Sequence, residues 1–275
     1  MRRVLLTADD FGLSEGVNEA VERAYRDGVL GAASLMVAGP AAADAVRRAR
    51  ALPGLRVGLH LVVIEGPAIL PQARIPDLVD ARGWFPSDQA RLGIRYFAHP
   101  AVRRQLAAEI GAQFSAYAET GLPLDHADAH KHMHLHPTVG RLMIQIGRSF
   151  GLTSVRVPDE PPSVIAACGE RVGLGDRALA RWSRVLRRQV RRAGLSAPDA
   201  VFGLRWTGRM TAARIKALAP HLPTGLSEIY VHPAVRREAL LKALMPAYAQ
   251  EAEFAALVDP EVRRALEAVA EIVRN

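Results

Sequence analysis

Arg3-Val4-Leu5-Leu6-Thr7-Ala8-Asp9-Asp10-Phe11-Gly12-Leu13-Ser14 is a short apolar run that stops abruptly on two carboxylates. Arg3–Ala8 reads as a strand, and Ser14 as the N-cap of a helix over Glu15–Asp27 that Gly28 ends. Two adjacent carboxylates at a strand end repel each other. Either a cation takes one of them as a ligand and frees the other as a base, or one sits in a turn while the other caps the helix. The same arrangement recurs downstream. His60 lies inside the apolar run Leu55–Val63, and Asp125-His126-Ala127-Asp128-Ala129-His130-Lys131-His132-Met133-His134-Leu135-His136 holds five of the nine histidines of the chain.

Strand and helix patterns alternate through most of the sequence. Further strands are expected at Ala32–Val37, Leu55–Leu61, Leu122–Asp128, Leu152–Val157, Ala200–Leu204 and Ser227–Val231. Helices are expected at Ala41–Ala51, Ala101–Thr120, Thr138–Phe150, Asp176–Ala193, Thr211–Ala219, around Ala234–Tyr248, and at Pro260–Val273. Such alternation predicts an α/β fold with mostly parallel strands, a complete or distorted (β/α) barrel. Functional groups of these barrels stand at the C-terminal ends of strands. Asp9, Asp10, His60, His126–His130, Arg156 and His232 all fall at or just past such ends. One domain over 1–275 is expected, with an insertion at about 63–100 that carries Pro67, Pro71, Pro76, Pro86, Trp84, Phe85, Tyr96 and Phe97. That insertion is either a substrate-covering loop or a surface excursion with its own minor core.

With 275 residues, 49% hydrophobic and 23% charged, the chain can build a full core, and global disorder is not expected. The single cysteine, Cys168, excludes an intramolecular disulfide and a cysteine-rich zinc site. No apolar run approaches a membrane span or a signal peptide, so a cytoplasmic protein is expected.

An imidazole alone in an apolar run is commonly just a hydrogen-bonded core group. Taken together, however, the three segments offer one carboxylate and two imidazoles around an open position, which is the pattern of a catalytic metal site. Bound there, a divalent ion would acidify water and polarise a carbonyl. In an extended chain the even-numbered residues from His126 to His136 would share one face. Not all of them can be ligands, and some are expected to orient the ones that are.

Thr7–Ser14, Val57-Gly58-Leu59-His60-Leu61, Asp128–His134 and Glu228-Ile229-Tyr230-Val231-His232-Pro233 resemble, in order, the four signature segments of the YdjC-like (ChbG-type) carbohydrate deacetylases. That resemblance implies a distorted βα barrel and a metal-dependent hydrolase that removes an N-acetyl group from an amino sugar. It implies Asp10, His60 and His130 as ligands of one zinc or magnesium ion. Asp9 would be the general base and His232 the acid or a group aiding it. Arg156, in Val155-Arg156-Val157-Pro158, resembles a substrate-binding position. Ala33–Val37, Leu52–Leu61 and Ala129–His132 further resemble the subgroup associated with hopanoid biosynthesis (HpnK-like), which implies an N-acetylglucosaminyl hopanoid lipid as substrate. Soluble chitooligosaccharides are the alternative.

The net charge of +8 is local in origin: twelve basic residues between Arg171 and Lys216 face only Asp176 and Asp199. On Arg177–Ala193, Leu179, Trp182, Leu186, Val190 and Ala193 form one stripe, with Arg181, Arg184, Arg188, Arg191 and Arg192 opposite. This is either a barrel helix with a solvated basic face or a helix that meets an anionic membrane. Nucleic acid is not expected as a partner, because no aromatic platform accompanies the patch. A homo-oligomer stays open. Two other classes were weighed. A non-haem iron oxygenase uses the same two-histidine, one-carboxylate set but belongs to all-β barrels. A metal-buffering or nucleic-acid-binding protein would leave Asp9, Asp10 and His60 without a role.

Overall fold

The computed structural model describes residues 1–274. Six strands lie side by side: β1 (Arg2–Phe11), β2 (Ala32–Leu35), β3 (Arg56–Leu61), β4 (Ala127–Ala129), β5 (Ala200–Phe202) and β6 (Gly225–Val231). Their order is β4-β3-β2-β1-β6-β5, every pair is parallel, and a short β7 (Glu271–Ile272) pairs with Arg3 and Val4. Parallel neighbours need crossovers, and helices supply them. Glu15–Asp27 links β1 to β2, Ala42–Arg50 links β2 to β3, and Pro100–Glu119 precedes β4. The sheet curls into a half-barrel, the distorted barrel expected from the alternation.

Between β4 and β5 the segment 152–159 stands in for a strand. The Ala127 amide donates to the Ser154 carbonyl and the Arg156 amide to the Ala127 carbonyl. On the other side the Val155 amide donates to Ser196, and the Val201 amide to Asp159. The expected strand Leu152–Val157 is therefore reduced to single bridges at Ser154 and Val155. Pro158, which has no amide hydrogen to donate, prevents the ladder from continuing.

Local signals place the helices well. Ser14 caps Glu15–Asp27 with its Oγ accepting from the Val17 amide at 3.3 Å, and the Gly28 amide closes the helix on the Ala24 carbonyl. Towards the C-terminal end the expectations fail. The helix around Ala234–Tyr248 is only Ala239–Leu244, because Met245 precedes Pro246 and is pushed out of the helical region. Gln250–Val258 is an additional helix, and Pro260–Glu267 stops early so that Glu271 and Ile272 can take up the free edge of β1.

The insertion has its own buried residues, Ile75, Leu78, Val79, Phe85, Leu92 and Tyr96. A helix over Gln89–Ala98 anchors it, and the Tyr96 hydroxyl donates to the Val63 carbonyl at 2.7 Å. Its outer side borders a cleft of about 600 Å³ that begins at Glu65 and runs past Trp84 and Arg91. The insertion thus has the minor core of a surface excursion.

Candidate metal centre

β1 delivers the two carboxylates, and regular strand geometry alone could not do so. Neighbouring residues of a strand point to opposite faces. Here the β1–β2 register shifts between Ala8 and Phe11, and Asp10 has φ of 61°. This irregularity re-aims Asp10 so that Asp9 and Asp10 are both buried in the same interior. Left-handed backbone is uncommon for residues other than glycine, and aspartate and asparagine tolerate it best.

β3 presents His60, and the chain leaving β4 presents His130. Asp10 Oδ1 lies 3.4 Å from His60 Nε2 and 3.2 Å from His130 Nδ1. The ligand atoms of these three buried residues all fall within 4.8 Å of one another. Both Asp10 oxygens and His60 Nε2 lack a hydrogen-bond partner. Buried polar atoms are rarely left so. A divalent cation between them would satisfy all three.

Asp9, His60 and Asp128 form a second convergent group, but three of its four carboxylate oxygens are already occupied. Asp128 Oδ1 accepts from His60 Nδ1 at 2.8 Å, and Oδ2 accepts from Ser34 Oγ at 3.1 Å and pairs with Arg156. Asp9 Oδ2 accepts from Arg156 Nη1 at 2.7 Å, leaving Oδ1 free. The Asp10 group is therefore the better cation site. Asp128 fits the part of a group that fixes the imidazole of His60.

Electrostatics agree. Burial pushes the Asp10 carboxyl up, but His130 and His60 outweigh it and hold it well below the usual carboxylate range. Burial likewise lowers His60, yet Asp128 and Asp10 together push it up to about 10. The carboxylates gathered in this interior outnumber its one guanidinium, an imbalance that a bound cation would offset.

Arg156 is 1% exposed. Its guanidinium contacts Asp9 and Asp128, donates through Nε to Glu228 at 2.9 Å, and stacks 5.0 Å from the Tyr230 ring centroid. The substrate-binding part expected of Arg156 is hard to reconcile with such enclosure. Its geometry is that of a buried hub that orients Asp9. Arg156→Met should cost about 3–5 kcal/mol, because it strands three buried carboxylates. Urea denaturation monitored by circular dichroism checks this.

The histidine tract divides after β4. Lys131 and His132 both have positive φ, so the extended alternation expected from His126 to His136 ends at His130. His132 Nε2 meets the Tyr230 hydroxyl at 2.9 Å, and His134 Nε2 donates to the Arg156 carbonyl at 3.0 Å. Burial, with His134 and Arg156 nearby, holds His132 well below the normal imidazole range, and burial takes His134 down to about 4. Neither belongs to the convergent ligand set.

His126 points inward below the site. Its Nε2 lies 3.0 Å from Ser34 Oγ, and its Nδ1 lies 2.9 Å from Asp125, which pairs with Arg56. Gly58 makes room for this ring: a Cβ there would meet it at 2.5 Å. Gly58→Ala should destabilise the fold by about 1–3 kcal/mol through overpacking, read as a lower urea midpoint at unchanged m-value.

His232 lies at the end of β6, with its ring centroid 5.7 Å from Tyr230 and 5.0 Å from Tyr248. Its amide donates to Glu253 Oε2 at 2.5 Å, and its unpartnered Nδ1 is 3.9 Å from the same oxygen. Sequence reasoning missed Glu228, Tyr230 and Glu253. Glu228 and Tyr230 were signalled, because they alternate with His232 and so share the inner face of β6. Glu253 arrives on the unanticipated helix Gln250–Val258, and nothing local announced it.

These features define a parallel α/β half-barrel protein with a buried aspartate–histidine–histidine site at its C-terminal rim. Residues 3–268 match the family described as YdjC-like protein, and the chain belongs to that family. It is 37% identical over 152 residues to the carbohydrate deacetylase of Geobacillus stearothermophilus, covering 55% of this chain and 58% of that protein. With the carbohydrate deacetylase of Vibrio cholerae serotype O1 (strain M66-2) it shares 32% identity over 148 residues, 54% of this chain and 56% of that one. The matched stretch thus spans little more than half the length of these relatives. Among solved structures, an Enterococcus faecalis V583 protein named provisionally for cellobiose-phosphate cleavage superimposes with a TM-score of 0.76 at 21% identity, over 100% of this chain and 97% of the other. At that identity the likeness bears on the fold.

Proposed function

We propose that this protein is a metal-dependent carbohydrate N-deacetylase. The observation that carries the reading is the convergence of unpartnered Asp10 and His60 atoms with His130, while the neighbouring Asp9, which converges on His60 as well, keeps one oxygen unpartnered. Relatives named carbohydrate deacetylases support the reaction class.

Asp10, His60 and His130 would hold one divalent ion, zinc or magnesium. When bound, that ion would polarise the acetamide carbonyl and make a water easier to deprotonate. The chain does the rest. Asp9 Oδ1 accepts the proton of the attacking water. Arg156 keeps Asp9 Oδ2 engaged, so the free oxygen points one way. Asp128 holds the His60 ring in place through Nδ1. His232, steadied at its amide by Glu253, gives a proton to the departing amine. Enclosure of these groups in the barrel interior keeps their charges effective.

In the finer reading the substrate is an N-acetylglucosaminyl hopanoid lipid, handled by a cytoplasmic, single-domain enzyme. The resemblance at Ala33–Val37 and Leu52–Leu61 supports it. Among the described residues no helix is long and apolar enough to cross a membrane. The experiment is acetate release by metal-replete protein from free N-acetylglucosamine, chitobiose and N-acetylglucosaminyl lipid. The expected result is release, with the highest kcat/KM on the lipid. No acetate from any N-acetylated sugar would overturn the reaction. Equal or better use of chitobiose would move the substrate to soluble oligosaccharides.

A further inference from the structure

Large apolar side chains that face solvent are confined to one part of this molecule. Apart from Met1, those exposed among the described residues stand on two helices. Ile94 (67% exposed) and Phe97 (65%) are on Gln89–Ala98, while Leu174, Leu179, Trp182 (47%) and Val185 are on Leu174–Arg192. Solvent-facing apolar groups scattered singly need no explanation, but a cluster of this kind does. The two helices flank a cleft of about 330 Å³ lined by Gly93, Lys131, His132, Leu179 and Trp182. Lys131 and His132 form the left-handed turn that follows His130, so the cleft reaches the chain that leaves the candidate site.

The structure also divides the stripe read from the sequence. Leu186 and Val190 are buried and seat the second helix on the barrel, whereas Leu179 and Trp182 face outward, and Val185, outside the stripe, is exposed beside them. The Trp182 indole is pinned at its edge, with Nε1 donating to the Leu135 carbonyl at 2.8 Å, and its ring stays half exposed.

Charge on the helices around the patch is mostly positive, although Arg95 pairs with Asp77 and Arg187 with Asp159. Helix Pro137–Ser149 packs against both of the others. Together the three helices carry eleven arginines and one acid, Asp176. That acid is engaged by the Gly173 amide and by Arg205. Arg177, Arg181, Arg184, Arg188, Arg191 and Arg192 are all exposed.

The partner must therefore accept aliphatic and aromatic side chains and supply negative charge over a broad area. A second copy of this chain would press the arginine field against itself. Nucleic acid would supply phosphates but no apolar phase for Ile94, Phe97 and Val185. An anionic bilayer supplies both headgroup charge and hydrocarbon. We propose that helices Gln89–Ala98 and Leu174–Arg192 form a docking face for an anionic lipid surface, which brings the rim of the metal centre to the membrane. The half-exposed tryptophan suits the interfacial layer, where amphipathic aromatic rings concentrate.

Binding is measured without turnover, so a failed deacetylase assay leaves this proposal standing and a failed binding assay leaves the deacetylase reading standing. Full-length protein is sedimented with vesicles of phosphatidylcholine alone or of phosphatidylcholine with phosphatidylglycerol. It should bind the mixed vesicles at least about ten-fold more tightly, and salt should weaken that binding. Arg181→Glu with Arg184→Glu, and separately Ile94→Ser with Phe97→Ser, should each lose about ten-fold or more while keeping the wild-type melting temperature. These side chains face solvent, so folding should survive. No binding to anionic vesicles at low salt overturns the proposal. So does undiminished binding by both double variants, which would place the contact elsewhere. Self-association that Phe97→Ser abolishes, in the absence of vesicle binding, would make the face an interface between copies.

Discussion

Asp10→Ala, His60→Ala and His130→Ala should each be purified with divalent metal at background level and with acetate release at background. Each residue supplies an atom to one convergent buried group. The carboxylates of Asp9 and Asp128 are held by Arg156, and Asp128 also by the His60 ring and Ser34. Elemental analysis gives the first readout. Thermal unfolding gives a second that needs no substrate. An ion at about 1,000 times its Kd stabilises the native state by about 4 kcal/mol, so wild type should melt higher when the ion is added and the three variants should not. His134→Ala is the control: it loses a bond to the Arg156 carbonyl and should melt lower, yet it should keep the ion. Equal metal content in wild type and all three ligand variants would remove the site.

The barrel and the site were legible to different depths. Strands β1, β3 and β6 are buried on both faces, so they appear as short apolar runs whose polar exceptions stand out. Among those exceptions, Asp9, Asp10 and His60 line the interior, and His232 follows β6 directly. Legibility failed where backbone departs from regular geometry. Nothing in the composition says that Asp10 adopts positive φ, yet that single torsion lets two consecutive aspartates share one face. Positive φ at Lys131 and His132 likewise decides which of five histidines reaches Asp10 and His60. Arg156 was visible as a charge at a strand end. Its partners are contributed by β1, β4 and β6, and only the curled sheet brings them together. Glu253 depends on packing of a late helix against β6, a contact between segments with no common pattern.

Asp9→Asn separates metal binding from chemistry. Asp9 Oδ2 accepts from the guanidinium of Arg156, a group that can only donate. In the variant the amide oxygen must take that place, which turns the amide nitrogen towards the position now held by the free Oδ1. The replacement is nearly isosteric, and the Asp10, His60 and His130 atoms are untouched. The variant should therefore keep the metal and much of its affinity for substrate. What it loses is the group that accepts a proton, so kcat should fall by roughly 10²–10⁴-fold. Arg156→Lys provides the companion measurement. Lysine preserves charge but cannot hold Asp9, Asp128 and Glu228 in one planar fork. Asp9 would still be a base but a misaligned one, and an intermediate loss of kcat is expected. Near-normal turnover by Asp9→Asn at full metal occupancy would take Asp9 out of the reaction. It would leave the Arg156 pair as a device for burying charge.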